Sequence, residues 1–322
     1  MRLQTQVPIP QAKGAIDYQS RIVLLGSCFS DHMGGKLERY RFRTLQNPFG
    51  ILFHPRAIEN FLERAVRAEM YGPEALFFDK GQWHCFDAHS EHNDSNEKQV
   101  LQKLNGQLKT TRAFLGNATH VFITLGTAWT YRHLKTDTTV ANCHKVPQKE
   151  FAKELLSISE ITASLENIIS TVRSLKQGLK VVFTVSPVRH LKDGFVENQR
   201  SKAHLLSAVH EVLGKATFGD NSSYFPSYEI QMDELRDYRF YGPDMVHPSP
   251  VAVDYIWEKF KGAYITYEAR ATMDAVETVQ KGLEHRPFHP NSEEHQQFLR
   301  SLSTKITYLK EKHPWMAFPL QA

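Results

Sequence analysis

Apolar and polar positions alternate along this chain in two rhythms. Short β-branched runs, RIVLLG at 21–26, VFITLG at 121–126 and KVVFTVS at 180–186, are apolar throughout and end in Gly or next to Pro187. Runs of this length and continuity predict strands buried on both faces, as in a parallel sheet. Between them the spacing lengthens to helical. Phe29, Met33 and Leu37 predict a helix straight after the first run. Phe151, Leu155, Leu156, Ile161, Leu165, Ile168, Ile169 and Val172 predict one over 149–176, and Ala203, Leu205, Leu206, Val209 and Val212 predict another over 197–214. Strands separated by helices imply βαβ units and an α/β fold. Residues 223–230, SYFPSYEI, predict a further short strand that Pro226 restricts to an edge or strand end. A loop, DYRFYGPDMVHPSP, then leads to a helix over about 251–264.

Two segments fall outside this repeat. Residues 70–93 carry Phe77, Phe78, Trp83 and Phe86 around Asp79-Lys80-Gly81, which predicts a hairpin insertion. Residues 266–322 are helical and charged, broken around HRPFHPNS, and are expected to form a C-terminal extension to a main domain of residues 1–265. At 322 residues the chain has room for one large domain or two modest ones.

Composition narrows the class. Hydrophobic residues make up 41% and charged residues 23%, which fits a globular chain and excludes disordered and fibrous types. The net charge of +4 comes from interspersed lysines and arginines with no basic block, so no nucleic-acid partner is expected. There is no signal-peptide pattern and no apolar run of the roughly 18 residues that a bilayer requires, so a cytoplasmic location away from membranes is expected. The widely spaced Cys28, Cys85 and Cys143 fit a reducing compartment. His84, Cys85, Asp87, His89 and His92 invite a metal reading. However, His84 and His89 have opposite strand parity and would not converge, so no metal and no other cofactor is expected.

Candidate chemistry begins at Ser27, directly after the first strand and at the start of a helix. This places a hydroxyl at the carboxyl end of a parallel strand, where open α/β sheets bind ligands, and at the positive end of a helix dipole. The same position suits a plain helix N-cap. In YGPDMVHPSP, Asp244 precedes His247 by three residues in one loop. A histidine held at one ring nitrogen by a carboxylate presents the other as a base, so Asp244 and His247 could activate Ser27. Cys28, about 100° further around the helix, is expected to pack.

With these residues in place, the chain resembles the SGNH or GDSL hydrolases and, within them, the GSCFA family. The motif reads Gly26-Ser27-Cys28-Phe29-Ser30, and NPFGILFHP (47–55), LGTAWTY (125–131), NCHKVP (142–147), SPVRH (186–190) and DMVHPSPVAVDYIWEKF (244–260) also match. The resemblance spans roughly residues 20–262. It implies a three-layer α/β/α, SGNH-hydrolase-like (flavodoxin-like) sheet and ester chemistry with Ser27 as nucleophile, His247 as base and Asp244 as its orienter. Gly50 matches the position whose backbone N–H joins that of Ser27 in the oxyanion hole, although a turn glycine reads equally well. Such enzymes usually carry an asparagine where Ala128 stands here. Asn142 or His144, with Thr127 as a further candidate, is expected to replace that donor.

Ser186, Pro187, Arg189 and His190 end the third strand and are expected at the catalytic rim, where Arg189 could grip an anionic substrate group or make a structural ion pair. Trp129 and His144 are further candidates for substrate contact. The expected activity is hydrolysis of an acyl or acetyl ester on a small-molecule or carbohydrate substrate. An acyltransferase with the same triad and a non-catalytic ligand-binding protein are the alternatives, and the sequence leaves the oligomeric state open.

Overall fold

The computed structural model describes residues 4–319. The long apolar runs form the interior strands. In chain order the strands are β1 (Arg21–Gly26), β2 (Arg43–Gln46), β3 (Leu76–Asp79), β4 (Gln82–Cys85), β5 (His120–Leu125), β6 (Trp129–His133), β7 (Thr138–Val140), β8 (Phe151–Leu155), β9 (Lys180–Val185) and β10 (Ser222–Tyr224). The helices are α1 (Cys28–Arg39), α2 (Pro55–Arg67), α3 (Glu97–Leu115), α4 (Ile158–Leu175), α5 (Phe195–Leu213), the short α6 (Ala216–Gly219) and α7 (Ser227–Glu229), α8 (Pro250–Tyr264), α9 (Tyr267–Glu284) and α10 (Glu293–Lys312).

Five strands pair in parallel in the order β10-β9-β5-β1-β2. Counted among themselves they run 2-1-3-4-5, the flavodoxin-like order, and the order reverses between β1 and β5. Alternation along each strand decides which face each side chain serves. Val23, Leu25, Ile123, Leu125, Phe183 and Val185 point to one face and pack against α2, α3, α4 and α5. Ile22, Leu24, Phe122 and Val182 point to the other, against α1, α8, α9 and α10. The result is a three-layer α/β/α arrangement. At about 1.5–3 kcal/mol for each fully buried Leu, Ile or Phe, these two faces supply most of the drive to fold.

The expected hairpin is present. Asp79 pairs with Gln82, and the two-residue turn between them puts Lys80 (φ 46) and Gly81 (φ 83) in the left-handed region, the type I′ pattern that suits a twisted ribbon. The C-terminal segment follows the expected helix, break, helix pattern. Met273 and Val276 of α9 and Leu302, Ile306 and Leu309 of α10 join the same core as Ile22 and Leu24, so this segment completes the second helical layer.

Two expectations fail: the strand expected over 223–230 ends at Tyr224, beyond which Pro226 turns the chain into α7 and a π-helical turn at Ile230–Leu235, and a further strand lies hidden upstream. The helical spacing over 149–176 hides a strand, because Phe151–Leu155 pairs antiparallel with β6 in a three-stranded sheet ordered β7-β6-β8. The helix begins only at Ile158, where Ser157 and Glu160 form a capping box. Ser157 Oγ accepts the Glu160 N–H, and the Glu160 carboxylate accepts the Ser157 N–H. The partner strand, invisible in a local window, decides the conformation of 151–155.

A buried cation ties the carboxyl ends of two central strands. Lys202 of α5 is fully enclosed, and its Nζ donates to the carbonyls of Gly126 and Ser186 at 2.8 Å each, just beyond β5 and β9. Burial pushes its ammonium down from 10.5 to about 7. A neutral amine keeps two N–H donors, which matches the two carbonyls.

Two outcomes follow from this packing. Ser157→Ala should cost about 1 kcal/mol, read as a lower urea midpoint at an unchanged slope. Because folding lowers the affinity of Lys202 for its proton, the unfolded chain binds more protons between the folded and unfolded values, and stability rises with pH across that window. Lys202→Met removes this titration. Its stability, measured by urea denaturation at about pH 7 and about pH 9, should therefore rise less than that of the parent chain.

Candidate active site

Strand β1 ends at Gly26, whose φ of 124 no ordinary side chain adopts comfortably. A Cβ there would lie 2.0 Å from the Thr124 carbonyl oxygen, so only glycine permits β1 and β5 to stay paired at this point. Ser27 follows in extended conformation (φ −73, ψ 170) as the N-cap of α1, and its Oγ accepts the Phe29 N–H at 3.3 Å. Its own N–H donates to Thr124 O at 3.0 Å. Ser30 clamps the first turn of α1 to the sheet through Leu25 O (2.9 Å) and the Thr124 hydroxyl (2.8 Å). Ser27 thus stands where the strand order reverses, at the positive end of a helix, and it is completely enclosed.

The segment 47–53 closes over this point. Asn47 Oδ1 accepts the Gly26 N–H at 2.9 Å, and its Nδ2 donates to Asp31 at 2.7 Å. Leu52 N–H donates to Gly26 O, and the N–H groups of Gly126 and Thr127 both donate to Phe53 O. Gly50 adopts φ 70, which suits glycine, and its N–H donates to Asn47 O at 2.7 Å. The insertion packs on it directly, because a Cβ at Gly50 would lie 2.3 Å from His89 Cβ. Burial raises the Asp31 carboxyl above its ordinary value and lowers the neighbouring His32 imidazole.

Asp244 and His247 meet as expected. Asp244 Oδ2 accepts the His247 Nδ1–H at 2.6 Å, and Oδ1 accepts the backbone N–H groups of Val246 (2.9 Å) and His247 (3.0 Å). These bonds to the charged form hold Asp244 well below the usual carboxylate range. Met245 makes the bend in the left-handed region (φ 57). The loop is fixed by Gly242 N–H to His247 O at 2.7 Å and by a bridge between Tyr241 and Pro248. Arg189, beyond the end of β9, holds it as well, donating its N–H to Val246 O (3.1 Å) and its Nη2 to Met245 O. His247 is half exposed; burial lowers the pKa values of His32 and His190, and the neighbouring His247 adds to it to a lesser degree. With Nδ1 occupied, Nε2 is left without a hydrogen-bond partner among the described residues, and no bond joins it to Ser27 in this state.

The other expected residues have these surroundings. The Asn142 amide donates to Ser90 Oγ at 3.2 Å and accepts the His144 N–H, beside the His89 that covers Gly50. The Thr127 hydroxyl is shared with Ser201 at 3.0 Å and accepts the Trp129 N–H. His144 is buried and donates Nε2–H to Cys85 O at 2.7 Å, and burial lowers its pKa to about 4, so it packs as a neutral ring. The Trp129 indole donates to Glu197 O at 3.3 Å, and Lys153 Nζ sits 4.4 Å from its ring centre. Burial raises the half-buried Cys28 thiol. Among the described residues, no group of three or more His, Cys, Asp or Glu side chains could hold a metal ion.

Sequence reasoning missed two participants, Lys202 and the Asn47–Asp31 pair. Lys202 falls on the buried face of α5 with Asn198, Leu205, Val209 and Val212, so a charge at an apolar helical position was the available signal. His190, expected at the rim beside Arg189, lies against Gly126, edge-on to Phe53 at 5.5 Å, with its ring nitrogen Nε2 buried and unpaired. Its burial lowers its pKa to about 3. The Asn47–Asp31 bond had no signal of its own, since a loop amide and a helix carboxylate are ordinary in isolation.

The GSCFA family model matches residues 21–260, and the model described as GSCFA domain protein, C-terminal domain, matches residues 276–319. No curated protein and no solved structure matches the chain. With its motif at the β1–α1 turn and a match running from the first strand into α8, this chain belongs to the GSCFA family.

Proposed function

We propose that the chain is a serine esterase on an SGNH-type frame, hydrolysing an acyl or acetyl ester through Ser27, His247 and Asp244. The observation that carries this reading is the Asp244–His247 bond at 2.6 Å, which leaves Nε2 open on the same sheet edge as a serine at a helix N-terminus. In the proposed cycle His247 Nε2 takes the Ser27 proton as Oγ attacks the ester carbonyl. The imidazolium, stabilised by Asp244, then returns the proton to the leaving alcohol. Water, deprotonated by the same nitrogen, releases the acyl group; an acceptor alcohol in its place gives the acyltransferase version.

Ser27 is enclosed in the state described, so the ester reaches it only after a covering segment moves. The segment 47–53, which closes over Ser27, is the cover that has to move, and the half-exposed loop 241–247, hung from Arg189, is the segment we assign to bringing His247 to the serine. Asn142 is the oxyanion donor we favour in place of the absent asparagine, because its amide is held by a single neutral hydroxyl that a developing negative charge would outcompete. A non-catalytic ligand-binding reading has one observation in its favour, namely that the N–H groups of Ser27 and Gly50 already have internal acceptors.

Labelling with a fluorophosphonate probe separates the two readings. Ser27 of the parent chain should be modified, Ser27→Ala should not react, and Asp244→Asn should slow ester turnover by a factor on the order of 10⁴. A folded parent chain that stays unlabelled at Ser27 removes the esterase reading. For Asn142→Ala, turnover of p-nitrophenyl acetate should fall by a factor on the order of 10²–10³, the loss typical of one oxyanion donor. An unchanged rate takes Asn142 out of the site.

A further inference from the structure

Beside the Asp244–His247 loop lies a hollow of about 330 Å³, bordered by Arg189, Gln231, Arg236, Asp237, Tyr238 and Tyr241. Arg189 is only 8% exposed, yet no carboxylate among the described residues pairs with it. Its Nη2 donates to the Met245 carbonyl, while its Nε is buried without any acceptor. A guanidinium this deep, facing only aromatic rings and one neutral carbonyl, is costly unless an anion joins it. The rings of Tyr241 and Tyr238 lie 4.2 Å and 5.8 Å from its central carbon, which compensates part of that cost.

The rest of the wall points the same way. Arg236 is held to Asp233 only by a loose pair at 3.7 Å with both partners largely exposed, so its charge is available. Asp237, the acidic residue on the wall, is already engaged by Arg239 at 3.0 Å and by the Arg239 N–H at 2.9 Å. Gln231 is 1% exposed, with its Nε2 on the Phe240 carbonyl and its Oε1 buried without a donor. Among the described residues, the hollow therefore has beside its two tyrosine rings a guanidinium with no carboxylate partner and, buried in its wall, a glutamine oxygen with no donor. A ligand that answers all three carries an oxyanion, a hydroxyl and a ring face able to stack on an aromatic.

We infer that this hollow is a binding subsite for an anionic, hydroxylated ring, with an acidic sugar unit as the ligand class. As a substrate subsite it deepens the esterase reading and rests on it, since the arginine that binds the anion also holds the loop carrying His247. As a binding site it stands independently of Ser27.

The test is calorimetric titration of the parent chain and of Ser27→Ala with sodium glucuronate, glucose 6-phosphate and glucose. Glucuronate should bind both proteins equally, and glucose should not bind detectably. Binding of glucose 6-phosphate would show that the site reads any oxyanion, and its failure to bind would show preference for a carboxylate. Arg189→Gln should weaken glucuronate binding by about tenfold or more. Because that change also loosens the loop, Arg236→Gln, at an exposed position, serves as the second variant and should weaken binding about threefold.

Absence of glucuronate binding, equal binding of glucose, or binding unchanged in both arginine variants overturns the inference. Glucuronate binding with no fluorophosphonate labelling of Ser27 would leave the subsite and remove the esterase. Labelling without glucuronate binding would do the reverse.

Discussion

The close approach of Gly26 to the backbone of Thr124 is the constraint on which the site depends. With no room for a Cβ between them, β1 and β5 stay paired to their last residues, and the chain leaves the sheet at Ser27 in a single extended step into α1. Asn47, the Leu52 N–H and the Phe53 carbonyl then bind to these same strand ends, so the cover over Ser27 is built on the geometry that glycine permits. The serine sits at a helix N-terminus because the sheet ends abruptly. It is enclosed because the ends of two strands and the loop above them share one set of hydrogen bonds.

Histidine in this chain does two kinds of work, and burial separates them. His54, His120 and His144 are enclosed, and each donates a ring N–H to a backbone carbonyl, of Val140, Gly14 and Cys85 respectively. Burial lowers all three to about 4, so they act as neutral linkers between segments that share no backbone ladder. His247 is different because it is half exposed and its partner is a carboxylate saturated with N–H donors. Of the described histidines at the sheet edge, it is the one hydrogen-bonded to a carboxylate.

Arg189 connects the candidate active site with the hollow beside it. Its backbone and its guanidinium both hold the 245–246 turn, and the same side chain forms a wall of the hollow bordered by Tyr238 and Tyr241. An anion drawn to that guanidinium would compete with the Met245 carbonyl, and the loop carrying Asp244 and His247 would respond. Recognition in the hollow and placement of the base are therefore mechanically linked in the proposed function, through a single side chain.

Much of the frame was legible in the sequence. Continuous apolar strands, helical spacing and turn glycines are local signals, and they identified the parallel sheet, the hairpin at Lys80-Gly81 and the helices after β1, β9 and the Asp244–His247 loop. The Asp244–His247 contact was readable too, because three residues in one tight loop leave the carboxylate few other partners. The strand Phe151–Leu155 was not readable, since its pairing with Trp129–His133 lies outside any local window. Tertiary structure alone decided the contacts between distant segments: Lys202 under the ends of β5 and β9, Asn47 on Asp31, the enclosure of Ser27, and an unpaired Arg189 beside two tyrosines. Periodicity assigns a residue to a face. Only packing brings that face against a carbonyl, a carboxylate or an empty hollow, and so determines what a charge buried there is able to do.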